Sequence, residues 1–202
     1  VTAFYRMLIA GVLLTPFVLL SNKVGNKNNQ TGGKLSKQLV WLPILGGILV
    51  ACDHALLSAS VAHTRIANLT LMNNIAPLWV ALAAWLLWKE RLMLSFWLGL
   101  VLTMSGAVIV IGYDLLLHPA FSFGDGLAVA SSLFYAAYFM VTQRGREKIN
   151  ALAYMWVVNL SSAVILLVIC LASGYALWGY PWQTWIVFLA AGVISQGIGY
   201  LA

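Results

Sequence analysis

Charge is what this sequence has least of. Lys, Arg, Asp and Glu make up 8% of its 202 residues, against about 25% in a soluble domain, and 62% are apolar, against about 45 to 50%. That excludes a globule solvated by water on all sides and makes lipid the main solvent. Acids are scarcer than bases, five against eleven, leaving a net charge of +6. The basic residues fall in short clusters between long apolar runs, where membrane topology accounts for them, so no nucleic acid partner is expected. Cysteine is scarce too. Cys52 and Cys170 each lie inside an apolar run, form no disulfide framework and read as small buried hydrophobes. Three scattered histidines give no metal-ligand spacing and there is no phosphate-binding glycine loop, so neither metal nor cofactor is expected.

What is present is long apolar runs, at about residues 3 to 20, 39 to 58, 66 to 88, 93 to 113, 124 to 142, 151 to 173 and 184 to 202. At about 1.5 Å rise per residue each can cross a hydrocarbon core of about 30 Å, which predicts seven spans. Alternate connections carry the positive charge: Lys23, Lys27, Lys34 and Lys37, then Lys89 and Arg91, then Arg144, Arg146 and Lys148, whereas the other connections hold only Arg65. Segments 21 to 38, 89 to 92 and 143 to 150 are therefore expected in the cytoplasm. Segment 21 to 38 reads as a flexible loop whose Asn29-Gln30-Thr31 sequon faces away from the glycosylating side. Trp178, Tyr180, Trp182 and Trp185 read as an interfacial aromatic belt at the outer surface. The sequence begins at Val1 already inside an apolar run and stops inside another at Leu201-Ala202, so it is expected to be part of a longer chain. Laying Gly47 on Gly192 gives a faint internal repeat.

Several polar residues inside these runs are candidates for chemistry. Asp53 is the one acid well inside a span, beside His54, and a carboxylate at that depth costs about 2.5 to 3.5 kcal/mol, so it is not expected to face lipid. It is read as a substrate-contacting or proton-coupling group, with a structural hydrogen bond to His54 as the plainer alternative. In the third run Thr70, Asn73, Asn74 and Pro77 share one arc of a helical wheel. Pro77 has no N–H, so the carbonyl of Asn73 loses its helical donor and a local kink is predicted. A cavity wall and interhelical hydrogen bonding stand about even as explanations of this stripe. Two rows of small residues, Gly47, Ala51, Ala55 and Ala59, and Gly99, Thr103 and Gly106, read as surfaces for close helix packing. Tyr113-Asp114 and Gly124-Asp125 invite comparison with paired intramembrane catalytic aspartates. Both lie at the membrane edge on one short connection, so they read as solvated loop acids, as His63 and His118 read as solvated histidines, and no enzyme is expected.

The stretch Asn74-Ile75-Ala76-Pro77, Trp85-Leu86-Leu87-Trp88-Lys89-Glu90-Arg91-Leu92, Trp97-Leu98-Gly99 and Ser105-Gly106-Ala107-Val108 resembles the EamA pattern of the drug/metabolite transporter superfamily. Arg6 resembles the Arg early in that family's second helix, and Gly124-Asp125 followed by Ala, Ser and Tyr resembles the opening of its sixth. Lys89 departs from the pattern, since Gly usually precedes the position of Glu90. The resemblance implies an all-α polytopic membrane bundle of ten helices in a 5+5 inverted repeat. On that reading 1–113 is the first repeat lacking its first helix, and 124–202 the second lacking its last two. It further implies a multi-pass inner-membrane permease for small metabolites or drugs, working by alternating access and open to proton coupling. Its expected partners are a small-molecule substrate and the lipid bilayer, with a homodimer compatible. A membrane scaffold or a membrane-embedded enzyme are the alternatives. Asp53, His54, Thr70, Asn73, Asn74 and Pro77 are the candidate substrate contacts, and Arg6, Glu90, Gly99 and Gly106 the family-motif positions.

Overall fold

A chain buried in lipid has no water to satisfy its amides, so each apolar run closes its hydrogen bonds on itself as a helix. The computed structural model describes residues 1–25, 40–89, 93–117, 122–147 and 149–198. Among these, every element is helical: α1 (Thr2–Gly25), α2 (Trp41–Val61), α3 (Ile66–Asn73), α4 (Ala76–Trp88), α5 (Leu94–Leu117), α6 (Phe123–Arg146), α7 (Ala151–Ala172) and α8 (Trp182–Ala190), continued by a π-helical segment, Ala191–Ile198. Five stretches are long and apolar enough to cross a membrane: Thr2–Leu20, Trp41–Val61, Asn68–Leu86, Phe123–Arg146 and Ala151–Ala172. Leu94–Gly106 and Trp182–Ile194 are shorter apolar helices among the described side chains. The described residues thus form an all-α, multi-span membrane bundle.

The helices depart from the apolar runs where polar residues still favour helix. α1 continues to Gly25, so the connection expected from residue 21 opens with helix. α6 continues to Arg146, which puts Arg144 and Arg146 in its last turn, where cations meet the negative end of the helix dipole. Lys27, Lys34, Lys37, the 29–31 sequon, Glu90, Arg91, His118 and Lys148 lie outside the described residues, as do the side chains of Lys23 and Asp114.

The run 66–88 is two helices. Within the break, the amides of Asn74 and Ile75 donate back to Thr70 and Met72, and those of Leu78 and Trp79 both donate to Ile75. Pro77 sits in the first turn of α4, where a missing N–H costs least. The expected kink is therefore a short break in the α-helical hydrogen bonding just before the proline, across which Asn74 and Ile75 keep right-handed helical dihedrals.

Val1–Ala51 with Val141–Ala202 forms one compact unit, and Cys52–Met140 a second. In the first, α1 and α7 run antiparallel, tied by Trp156 Nε1 donating to Thr15 Oγ1 at 3.0 Å. A Cβ on Gly47 would overlap Ser161 and lie 3.0 Å from the Val158 carbonyl oxygen, so α2 meets α7 with no room for a side chain. Gly192 crosses α1 just as closely, its added Cβ falling 2.8 Å from Ile9. The two glycines aligned in the faint internal repeat both sit at close crossings, and Gly47 with buried Ala51 forms the tight half of the first small-residue row. Ala59, at the far end of that row, is exposed. Among the described residues the second row meets no neighbour: nothing lies within 4 Å of a Cβ on Gly99 or Gly106, and exposed Thr103 donates to the Gly99 carbonyl of its own helix.

The expected aromatic belt divides. Trp178 and Trp182 point outward, 76% and 68% exposed, as interfacial residues do. Tyr180 and Trp185 instead turn inward onto Phe188, with Tyr5 stacked on the same ring at 5.0 Å and its hydroxyl donating to the Leu177 carbonyl. α7 ends in a Schellman motif, Tyr175 N–H to Cys170 and Gly174 N–H to Leu171, with Gly174 at φ +69°.

Candidate functional site

Within the unit Cys52–Met140, apolar helices are joined by polar groups. Asp53, on α2, is 3% exposed. Ser131 of α6 donates its hydroxyl to Asp53 Oδ1, and His54 Nδ1 lies 3.2 Å from Asp53 Oδ2. The next residue along α6, Ser132, accepts from Trp79 Nε1 of α4 at 2.9 Å and donates its own hydroxyl to the Val129 carbonyl. Adjacent residues on a helix point about 100° apart, so this serine pair lets α6 engage α2 with one hydroxyl and α4 with the other. Asp53 lies about 12 Å from the Val61 end of α2, Ser131 about 12 Å from the start of α6 and Asn73 about 10 Å from the start of α3, at helical rise. Each of these groups thus lies about two turns from the named end of its helix.

Of the expected stripe, Thr70, Asn74 and Pro77 share one exposed face, and Asn73 is set apart from them. The Oδ1 of Asn73 is buried and has no hydrogen-bond partner among the described residues. Thr70, Asn74 and Pro77 are exposed, and the Thr70 hydroxyl donates to Ile66 of its own helix. Ser131, Ser132 and Trp79 were not singled out from sequence, because hydroxyls and an indole inside apolar runs carry no spacing that marks them.

A second polar cluster lies where α6 begins. Asp125 is 1% exposed, which corrects its reading as a solvated loop acid. Ser122 and Asp125 form a reciprocal capping box: the Asp125 N–H donates to Ser122 Oγ at 3.2 Å, and the Ser122 N–H donates to Asp125 Oδ2 at 2.7 Å. The other carboxylate oxygen accepts from Thr64 Oγ1, and Asn68 supplies a further side-chain hydrogen bond. Ser60 Oγ donates to the Gly124 carbonyl at 2.7 Å, and exposed His63 meets Phe123 edge-on. A Cβ on Gly124 would fall 2.6 to 2.7 Å from the backbone of His63 and Thr64. The Gly-Asp pair is thus explained physically: glycine admits the turn after α2, and aspartate both caps α6 and holds that turn. The Ser-x-x-Asp spacing was the legible signal for it.

Of the family-motif positions, Arg6 is half-buried, with its carbonyl oxygen 3.4 Å from where Gly192 would carry a Cβ. Gly99 and Gly106 face open space, and Glu90 lies outside the described residues. Lys89 ends α4 at φ 53° and ψ 27°, the left-handed conformation that glycine adopts freely and other residues reach at a cost. That accounts for glycine being usual there. Among the described residues no group of His, Cys, Asp and Glu has the makings of a metal site.

Comparison with known proteins points the same way. The chain is 24% identical over 175 residues to the uncharacterized transporter sll1319 of Synechocystis sp., covering 84% of this chain and 53% of that protein, so it spans about half the length of this relative. It is 31% identical over 109 residues to the probable 4-amino-4-deoxy-L-arabinose-phosphoundecaprenol flippase subunit ArnE of Salmonella typhi and of Salmonella paratyphi A, covering 52% of this chain and 93% of each. The sequence pattern of the EamA-like transporter family matches residues 1–112 and 122–202, and the chain belongs to that family.

Proposed function

We propose that the full-length protein is a permease that moves small metabolites or drugs by alternating access, with substrate contacts in the layer of Asp53, His54, Ser131 and Asn73. The chain is a multi-pass protein of the inner membrane, and its family is one of membrane transporters. The observation carrying this reading is Asp53, a carboxylate buried among apolar helices and held by Ser131 and His54. Ionisable groups inside a membrane are expensive and mark substrate or proton pathways. A scaffold needs no such polar layer. The stretches 1–113 and 124–202 are read as two repeats of opposite orientation, with Asp53 the candidate for coupling transport to protons. A lipid-linked sugar is the second reading of the substrate, favoured by the flippase subunit among the relatives. That relative's name also leaves room for assembly with a second copy or another chain.

The test is uptake of a metabolite, drug and lipid-linked sugar panel by the full-length protein in liposomes, with and without an imposed pH gradient. Uptake that empty liposomes lack, and that Asp53→Asn reduces to exchange, is expected. Uptake no different from that of empty liposomes across the panel would contradict the reading.

A further inference from the structure

Among the described residues two groups hold the Asp53 carboxylate: the Ser131 hydroxyl on Oδ1, and His54 Nδ1 at 3.2 Å from Oδ2. They differ in what they can reach. Ser131 is 0% exposed, whereas the His54 side chain is 14% exposed, against 4% for that of Asp53. The seam between α2 and α6 is closed as well. Seven residues separate Asp53 from Ser60 on α2 and Gly124 from Ser131 on α6, so the two helices run antiparallel and in register. The hydrogen bond from Ser60 to the Gly124 carbonyl therefore shuts the seam about 10 Å from the carboxylate, and Ala128, between the two rungs, is 0% exposed. Few other ionisable groups are at hand. α3 and α4 carry none, α2 adds only Cys52, and on α6 the nearest to Ser131 are Asp125, six residues before it, and Tyr135, four after it.

We infer that His54 is the proton-transfer residue for Asp53, so that protons reach and leave the buried carboxylate through its imidazole. The inference rests on the reading of Asp53 as the coupling group and gives that group its route. A carboxylate offers only acceptors, so Nδ1 of a neutral His54 carries the hydrogen between them, and Nε2, on the far side of the ring, is the basic nitrogen. A proton from water binds Nε2 and makes the imidazolium. The Nδ1–H bond then breaks as an O–H bond forms at Oδ2, which leaves a neutral histidine with its hydrogen on Nε2 and a neutral carboxylic acid. The contact survives the transfer, because the acid O–H now donates to the bare Nδ1. The reverse sequence returns the proton to water. Ser131 is sealed, and its hydroxyl is a far weaker base than an imidazole, so it positions the carboxylate without relaying protons.

The test follows the proton itself. Full-length protein in nanodiscs is acidified by photolysis of a caged proton, and the infrared carboxylic acid band of Asp53, assigned by its loss in Asp53→Asn, is followed in time. In wild type its rate of appearance is expected to level off as the final pH is lowered, because transfer from a loaded imidazole sets the limit. A rate that climbs in proportion to proton concentration throughout means direct protonation and overturns the inference without any variant at position 54. His54→Asn keeps an N–H donor where Nδ1 stands but has no titrating ring, so it separates a relay from a merely structural donor. Its band is expected to rise about ten-fold or more slower than that of wild type, as slowly as in His54→Ala, while Gly99→Ala leaves the rate unchanged. A His54→Asn band as fast as wild type overturns the inference. If the Asp53 band appears at no pH at which the protein stays folded, both the relay and the coupling role of Asp53 fall, whereas the transport reading stands or falls separately on uptake by the same protein in liposomes.

Discussion

The two compact units of this chain draw in different proportion on two ways of holding helices together. In Val1–Ala51 with Val141–Ala202, helices meet where side chains are missing, as at Gly47 against Ser161 and Gly192 against Ile9, with Trp156 to Thr15 and Tyr5 to the Leu177 carbonyl as added side-chain ties. In Cys52–Met140 they meet through side chains that reach across: Ser131 to Asp53, Trp79 to Ser132, Ser60 to the Gly124 carbonyl and Thr64 to Asp125. Lipid tails are as apolar as leucine, so burial alone does not drive helices together, and close contact or hydrogen bonding must. Close contact leaves no chemistry behind. Hydrogen bonding leaves polar groups inside the membrane, and among the described residues both buried carboxylates, Asp53 and Asp125, lie in the second unit.

Gly124 combines both means, so changing it is expected to have the largest effect. In Gly124→Ala the new methyl meets the His63–Thr64 backbone, which has no rotamer to escape through. Thermal unfolding in detergent should show a loss at the upper end of about 1 to 3 kcal/mol. Gly99→Ala, facing open space in mid-helix, should instead be neutral or gain about 0.5 to 1 kcal/mol. Equal losses at both positions would erase the distinction between packed and unpacked glycines.

Ser131→Ala comes next. It removes one of the donors to a buried carboxylate and should cost about 1 to 3 kcal/mol. In a double-mutant cycle with Asp53→Ala the two losses should be strongly non-additive. Additive losses would mean that this hydrogen bond does not join α2 to α6.

How far all this was legible in the sequence follows from what lipid does to a pattern. Run length and composition revealed nearly all the spans, because a membrane imposes its thickness directly on the chain. Asp53 stood out because a lone acid in an apolar run needs an explanation. Ser131, Ser132 and Trp79 did not, because serine and tryptophan are unremarkable in spans and their partners are far away in sequence. In the stripe of Thr70, Asn73, Asn74 and Pro77, only Asn73 has a buried polar atom, while the other three share an exposed face, a division that a wheel alone does not show. Asp125 was misread because proximity to a span end was taken for exposure, although Ser122 three residues before it already spelled a capping box.

The smallest expected effect is at Lys89, which belongs to neither kind of contact. Lys89→Gly relieves a left-handed backbone and should stabilise the protein by about 1 kcal/mol, raising its unfolding temperature without altering transport. A fall in unfolding temperature would mean that the Lys89 side chain contributes more than its backbone conformation costs.

The central claim is that the polar contacts of the second unit carry function while the close contacts of the first carry only structure. Asp53→Asn in the full-length protein tests it most directly, with unfolding temperature and gradient-driven accumulation measured on the same liposome preparation. Asn keeps the shape and can still accept from Ser131, so the unfolding temperature should stay near wild type while accumulation against a gradient is lost. An Asp53→Asn protein that still accumulates substrate with an unchanged dependence on the pH gradient would contradict the account and make Asp53 a structural residue.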